Sequence, residues 1–390
     1  MPDFLKSLKV LDFTRLIPGP YATQILADMG AKVVKVEAID GGDYARQLHP
    51  QISGVGTMFV ALNRNKKSVA VNLKSEQGRE IIRKLIIQYD IVFESFRSGV
   101  MDRLGIGYED LKKVKEDLIY LSLSGYGQSG SYASRAAHDI NCLALTGISS
   151  MIKDQSGRPV IPGLQIADMS SGLFSVIAIL AALQKRNTTG QGSYIDLAMS
   201  ESTLSLMSYV ATDEQARANL ADNQVRALCG EVLCYNYYET KDGRYMSVGA
   251  LEPQFWSELC RVLETPELLL KAYSKADDSN PHFSKITDRF KSKNQYEWIG
   301  AFLQADACVE PVLDPKEVLD HPLFIERKMI CDILSDKQNR EIALNTPVDQ
   351  AGGSHGQKIP GIGESNEEIF KEIGLSDRDI KDMRNSGIIS

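Results

Sequence analysis

KVLDFTRLIPGPYATQILADMGAKVVKVE, running from Lys9 to Glu37, decides the fold. Lys9–Phe13 is a short apolar run suited to a buried strand. Tyr21–Met29 has helical spacing and stops at Gly30, and Ala31–Glu37 is a second, β-branched strand. Strand, helix and strand in this order make a βαβ unit, whose two strands lie parallel. The pattern continues downstream. Strand-like runs at Ser68–Leu73, Asp90–Phe93, Leu118–Leu123 and Tyr194–Leu197 alternate with helical stretches from Ser75 to about Tyr89 and over 108–115, 137–146 and 164–186. This alternation predicts an α/β fold with a large, Rossmann-like parallel sheet covered by helices on both faces. Ligands of such sheets bind beyond the carboxyl ends of the strands.

After about residue 200 the texture changes. Residues 201–224 are helical and polar-rich, like a connecting arm. Tyr235–Tyr238, a turn at Lys241-Asp242-Gly243 and Tyr245–Gly249 predict a β-hairpin. A smaller mixed unit follows over 252–320, with a strand at Cys308–Leu313. Ser365-x-x-Glu368 and Ser376-x-x-Asp379 have the spacing of capping boxes that open terminal helices. The expected plan is a large α/β domain (1–198), an arm (199–228), a small α/β domain (229–322), and a returning segment with C-terminal helices packed on the large domain (323–390).

The 390 residues carry 44 Lys plus Arg against 51 Asp plus Glu, a net charge of −7 that argues against a nucleic-acid partner. With 43% hydrophobic and 24% charged residues, disordered and coiled-coil readings drop out. Gly172–Leu183, the longest apolar candidate, is interrupted at Ser175 and ends in Gln184-Lys185-Arg186, so a buried helix rather than a membrane span is expected. The N-terminus has no hydrophobic signal core, and the six cysteines include no CxxC, which suits reduced thiols in a cytoplasm. The five histidines do not cluster, and no metal site is expected.

Gly125-Tyr126-Gly127-Gln128-Ser129-Gly130 fits G-x-G-x-x-G after a strand. A dinucleotide fingerprint would open a helix directly, whereas here the loop continues through Ser131–Ser134, so a loop lining a site is the better reading and no NAD or FAD is expected. Arg64-Asn65-Lys66-Lys67, with Lys74, Arg97 and Arg103 beyond, forms the densest basic run. It suits either anion recognition or a solvated face. Three further segments place ionisable residues at loop–helix junctions: Ala137-His138-Asp139-Ile140-Asn141, Gln165-Ile166-Ala167-Asp168-Met169 and Gly249-Ala250-Leu251-Glu252-Pro253. Each residue alone is explained by helix capping or by the helix dipole. Together they offer an imidazole and two carboxylates for proton transfer.

These segments carry a resemblance. PGPYATQILADMGAKVVKVE, LNRNKKSVAVNLK, RSGVMDRLGIGYEDL, LSLSGYGQSG, AHDIN, ETKDGRYMSVGALEPQFW and ACVEPVL are similar to stretches of the family III CoA-transferase superfamily. AHDIN and GALEPQF resemble its α-methylacyl-CoA racemase branch. The resemblance implies a racemase of 2-methylacyl-CoA thioesters working by 1,1-proton transfer at the α-carbon, with His138 and Asp168 as the acid/base pair and Glu252 partnering the histidine. The start of the helix at Asp139 is expected to hold the enolate oxygen. The alternative is a CoA-transferase that uses Asp168 as nucleophile through an acyl anhydride. Substrate and CoA contacts are expected at Val71, Asn72, Leu73, Lys74, Arg97, Arg103, Ala137, Asp139, Ile140, Asn141 and Cys142. No cofactor is implied beyond the CoA of the substrate. An interlocked homodimer is implied as the assembly. The chain departs from the family pattern at Ala38, Ala137, Cys142 and Met169–Gly172, where a basic residue, a glycine, a tyrosine and a more glycine-rich stretch are usual.

Overall fold

The computed structural model describes residues 4–154, 156–218, 225–336, 339–348 and 358–390. The chain divides into two compact units, 1–212 with 322–390, and 213–321. The division falls inside a helix of the expected arm (199–228), and residues 219–224 of that arm lie outside the described residues.

In the first unit, six strands form one sheet: β1 (Lys9–Phe13), β2 (Lys32–Glu37), β3 (Lys67–Ala70), β4 (Ile91–Glu94), β5 (Ile119–Ser124) and β6 (Ser193–Ala198). Their order is β3-β2-β1-β4-β5-β6 and every pairing is parallel. Helices α1 (Pro18–Asp28), α2 (Glu76–Ile86), α3 (Asp139–Leu145), α4 (Ile166–Thr189), α5 (Met199–Ser205) and α6 (Ser208–Arg217) belong to the same stretch of chain. Alternate residues of each strand face opposite sides of the sheet. Leu11, Val34 and Val92 pack with Ile82 and Leu85 of α2, while Val10, Val33 and Ile91 pack with Leu26 of α1 and Ile179 of α4. Both faces are therefore apolar, as a doubly covered parallel sheet requires.

The order reverses between β1 and β4. Their loops diverge there and open a crevice at the carboxyl edge, where ligands of this architecture bind.

The helix expected over 164–186 is α4. With 24 residues it is long and apolar enough to cross a membrane by length and composition. It packs against α1, and Gly172 makes their close approach possible: a Cβ there would lie 2.9 Å from the Pro18 carbonyl and 2.8 Å from the Tyr21 ring.

The second unit holds the predicted hairpin, β7 (Tyr235–Glu239) and β8 (Tyr245–Gly249), with β9 (Val309–Pro311) antiparallel beside β8. Gly243 sits in the turn with φ +74, a left-handed conformation that disfavours a side chain. Helices α7 (Pro253–Leu263), α8 (Pro281–Phe290) and α9 (Gln295–Phe302) complete a core around Trp256, Phe290 and Trp298.

The chain returns to the first unit through the strand pair β10 (Ile330–Asp336) and β11 (Asn339–Leu344), then α10 (Asn366–Glu372) and α11 (Asp377–Asn385). Phe370 and Ile380 join the core on the α2 side of the sheet. Ser376 and Asp379 form their capping box, whereas the Ser365 side chain makes no cap bond and Glu368 pairs with Lys67 instead.

Candidate active site

A cavity of about 740 Å³ occupies the crevice at the strand-order reversal. Its walls are Arg15–Pro18 after β1, Ser95–Ser98 after β4, Leu123–Gly125 at the end of β5, and the approach to α3 from Arg135 to Ile140. Asp168, in the first turn of α4, completes it, so His138 and Asp168 line the same space.

Local hydrogen bonds explain this meeting. His138 is the N-cap residue of α3; its backbone is extended, and its N–H donates to Asn141 Oδ1 at 3.0 Å. Gln165, at the N-cap position of α4, makes no side-chain cap bond. Asp139 takes over that role from another segment. Its Oδ1 accepts the backbone N–H groups of Ala167 at 2.6 Å and Asp168 at 3.1 Å. Orphan N–H groups at a helix start need such an acceptor, and a carboxylate also complements the dipole. One carboxylate thus ties the head of α4 to the head of α3.

The same contact shapes the chemistry of Asp168. Burial, with the nearby Asp139 charge adding to it, pushes its carboxyl from 3.8 up to about 7. A group at that value holds and releases a proton near neutral pH. His138 is exposed on the cavity rim side of α3. Cys142 is buried behind, its thiol pushed up to about 11 by burial and by Asp139 and Asp168. Ala137 packs tightly on the glycine loop: a Cβ on Gly125 would lie 2.5 Å from the Ala137 Cβ. Gly125 supplies the close approach at this contact. The start of α3 at Asp139, where the enolate oxygen is expected, lines the cavity.

Of the expected contacts, Arg97, Ala137, Asp139 and Ile140 line the cavity. In α3, outside the cavity lining, Asn141 is exposed and Cys142 buried, and Arg103 is exposed on the short helix Val100–Arg103. Val71 to Leu73 engage the chain's own C-terminal segment: Val71 bridges to Ile389, and the Asn72 N–H donates to the Ile388 carbonyl at 2.8 Å. Lys74 is exposed beyond them.

The basic run is not an open cationic patch. Arg64 is buried against Asp28 at 2.5 Å. Lys66 is buried with its Nζ donating to Thr23 Oγ1 at 2.7 Å, Asn63 Oδ1 at 2.9 Å, the Pro20 carbonyl at 3.0 Å and Asp12 Oδ2 at 3.2 Å. Glu252 belongs to the second unit, where it is the exposed N-cap residue of α7 and makes no side-chain cap bond. Among the described residues no cluster of three His, Cys, Asp or Glu side chains is placed to hold a metal ion.

Two cationic residues of the cavity escaped the sequence reading, Arg15 and Arg135. The Arg15 guanidinium lies 5.2 Å from the centroids of both the Tyr44 and Phe96 rings and donates to Tyr44 Oη at 3.3 Å. Arg135 lies over Tyr132 at 4.2 Å. Arg15 was signalled by its place directly after β1, in the turn that borders the crevice.

The family model described as CoA-transferase family III matches residues 5–366. An alpha-methylacyl-CoA racemase of Homo sapiens is 36% identical over 391 residues, covering 99% of this chain and 97% of its own. A succinyl-CoA:glutarate CoA-transferase of Homo sapiens is 30% identical, with 99% and 90% covered. Among solved structures, a CAIB/BAIF family protein from Brucella suis superimposes with a TM-score of 0.80 at 27% identity, over 94% of this chain and 98% of that one. With a whole-chain family match, a parallel sheet in this order and a crevice site, the chain belongs to the CoA-transferase family III enzymes.

Proposed function

We propose that the protein is a racemase of 2-methylacyl-CoA thioesters. The observation that carries this reading is the pairing of His138 with a half-buried Asp168 raised to about 7 in one cavity. The thioester acidifies the α-hydrogen. One group removes it, the other delivers a proton to the opposite face of the enolate, and the roles reverse for the return reaction. Arg15, Arg97 and Arg135 give the cavity the positive charge that the CoA phosphates need. The resemblance supports Glu252 as the histidine's partner and a cytoplasmic homodimer as the assembly.

A CoA-transferase would use Asp168 as an ionised nucleophile and would have no call for a second proton-transfer group. A carboxyl raised toward neutrality by burial and a neighbouring carboxylate fits proton exchange better. The test is loss of deuterium from an α-deuterated 2-methylacyl-CoA in water with no acceptor acid present. His138→Ala and Asp168→Ala each lose exchange by about 10²–10⁴-fold while CoA binding persists. Exchange retained in either variant, or CoA transfer to an added acid without exchange, overturns the racemase reading. A monomer in sedimentation would overturn the homodimer.

A further inference from the structure

Glu94, at the end of β4, is a buried carboxyl that the proton transfer does not use. It is 4% exposed and directly precedes the Ser95–Ser98 turn that walls the cavity. One carboxyl oxygen accepts the Phe96 backbone N–H at 2.7 Å, and the other accepts the hydroxyl of buried Ser122 on β5. Ser122 Oγ in turn accepts Gln128 Nε2 at 2.7 Å. Gln128 sits on the glycine-rich loop that leads to His138. Its carbonyl accepts the Ser98 hydroxyl at 2.9 Å, and its N–H lies 3.0 Å from both carboxylate oxygens of Asp196 on β6.

These bonds close a ring. Starting at Glu94, it passes through Ser122 to Gln128, crosses to Ser98, and returns along the backbone past Phe96. A leucine would fill the same volume but would leave the Phe96 N–H and the Ser122 hydroxyl without an acceptor, which buried polar groups rarely tolerate. The ring spans the two segments that must keep a fixed separation: the turn carrying Arg97 and the loop ahead of His138.

We propose that Glu94 is a positioning residue of the acyl-CoA site, its carboxyl holding the Arg97 turn and the Gln128 loop in register so that bound CoA presents its thioester to His138 and Asp168. This rests on the cavity being the acyl-CoA site. The ionisable groups facing Glu94 are Asp102 from the short helix Val100–Arg103, Asp196 and Tyr194 from β6, and Tyr120 from β5. Burial pushes the Glu94 carboxyl up to about 7, the Ser122 and Phe96 hydrogen bonds pull it down, and Asp102 and Asp196 add to the rise. The ring is therefore neutral in mildly acidic solution and acquires a buried charge as pH rises through neutrality.

The experiment uses the full-length protein and the variants Glu94→Ala, Glu94→Gln and Ser122→Ala. It measures the Kd for free CoA by calorimetry, and KM and kcat for α-deuterium loss. Glu94→Ala and Ser122→Ala raise both Kd and KM by about tenfold, the size of one lost buried charge-assisted hydrogen bond, with a smaller change in kcat. Glu94→Gln, which keeps an acceptor for the Phe96 N–H, restores most of the affinity. The CoA affinity of the parent varies between pH 6 and 8, and Glu94→Gln removes part of that variation; the difference isolates Glu94 from Asp168 and His138. A folded Glu94→Ala with parental Kd and KM, or an unchanged pH dependence in Glu94→Gln, overturns the proposal. If Glu94→Ala does not fold, Ser122→Ala decides alone, because it leaves the carboxyl in place. Failure of the parent to bind CoA would instead refute the assignment of the cavity.

Discussion

Two groups of buried ionisable residues lie at the carboxyl edge of the same sheet, and they behave in opposite ways. Beneath the turn after β1, Asp12, Lys35, Glu37, Asp43, Arg46 and Lys66 are each at most 7% exposed. They meet as ion pairs, Lys66 with Asp12 at 3.2 Å, Lys35 with Asp43 at 2.9 Å and Arg46 with Glu37 at 2.6 Å, while burial pulls the Lys66 ammonium down to about 7. In the cavity, Asp168 meets burial and a second carboxylate, Asp139. Burial alone would raise Asp12 as it raises Asp168. Lys66, Lys35 and the hydroxyls of Thr14 and Thr23 outweigh it and hold Asp12 at about 2. A buried carboxyl with cations around it is scaffold, and one facing a like charge is available for proton chemistry. The paired group serves the other at a distance. Lys35 Nζ donates to the Thr14 carbonyl at 2.7 Å and Asp43 Oδ1 accepts the Leu16 N–H at 3.2 Å, which sets the turn that presents Arg15. Leu16 adopts φ +63 there, a conformation a β-carbon disfavours and that these bonds hold.

The sharpest way to break this contrast is to remove one partner of a pair. Lys66→Met leaves Asp12 buried with its main counter-charge gone, at a cost of about 3–5 kcal/mol in unfolding free energy by urea titration. Adding Asp12→Asn recovers most of that loss, because the uncompensated charge goes with it. A cost below about 1 kcal/mol for Lys66→Met would show that the pairs do not carry the cluster.

The next effect runs the other way. The folded value of Asp168, about 7, lies above the ordinary 3.8, so its stability contribution is complete below about pH 4 and is lost as pH rises through 7. By pH 8 the ionised carboxyl costs on the order of 4 kcal/mol. Asp168→Asn avoids that cost: the variant is inactive, yet more stable than the parent at pH 8, and the two converge as pH falls toward 4. Asp12 has the reverse sign, its contribution being present above about pH 4 and lost as pH falls through 2. Chemical denaturation of parent and Asp168→Asn at pH 5, 6.5 and 8 reads the convergence directly. Equal stabilities at all three values would mean that Asp168 is not desolvated.

What the sequence discloses follows the same division. The sheet was legible because strands buried on both faces appear as apolar runs, and the hairpin because Asp242-Gly243 has few conformations open to it. His138 and Asp168 were legible as polar residues at helix starts. The bond that unites them was not, since a carboxylate in the first turn of α3 already has a local explanation in the dipole of its own helix. Arg64 and Lys66 misled for a related reason. Charged residues are mostly exposed, and nothing adjacent in the chain announces that Asp28 and Asp12 from other elements receive them. Asp12 and Lys35 interrupt strands that are otherwise apolar, and that was the available sign of an internal ionic cluster. The Ser365 spacing failed because the Ser365 N–H that Glu368 was expected to reach donates to the Ser68 carbonyl, and Glu368 pairs with Lys67.

The smallest predicted effect isolates the like charge. Asp139→Asn keeps an oxygen that accepts the Ala167 and Asp168 N–H groups, so α4 stays capped and stability changes by no more than a few tenths of a kcal/mol. The negative charge beside Asp168 is gone, and its titration moves down toward the ordinary carboxyl range without reaching it, because burial is the larger cause. Observing the Asp168 carboxyl by carbon-13 NMR across pH 4–9 measures that movement, and the pH profile of α-proton exchange shifts in the same direction. Asp139→Ala removes the acceptor as well and costs about 1 kcal/mol, so the two substitutions separate capping from electrostatics. If Asp139→Asn leaves the Asp168 titration in place, the carboxylates do not sense one another, and desolvation alone distinguishes the site from the paired cluster beneath the β1 turn.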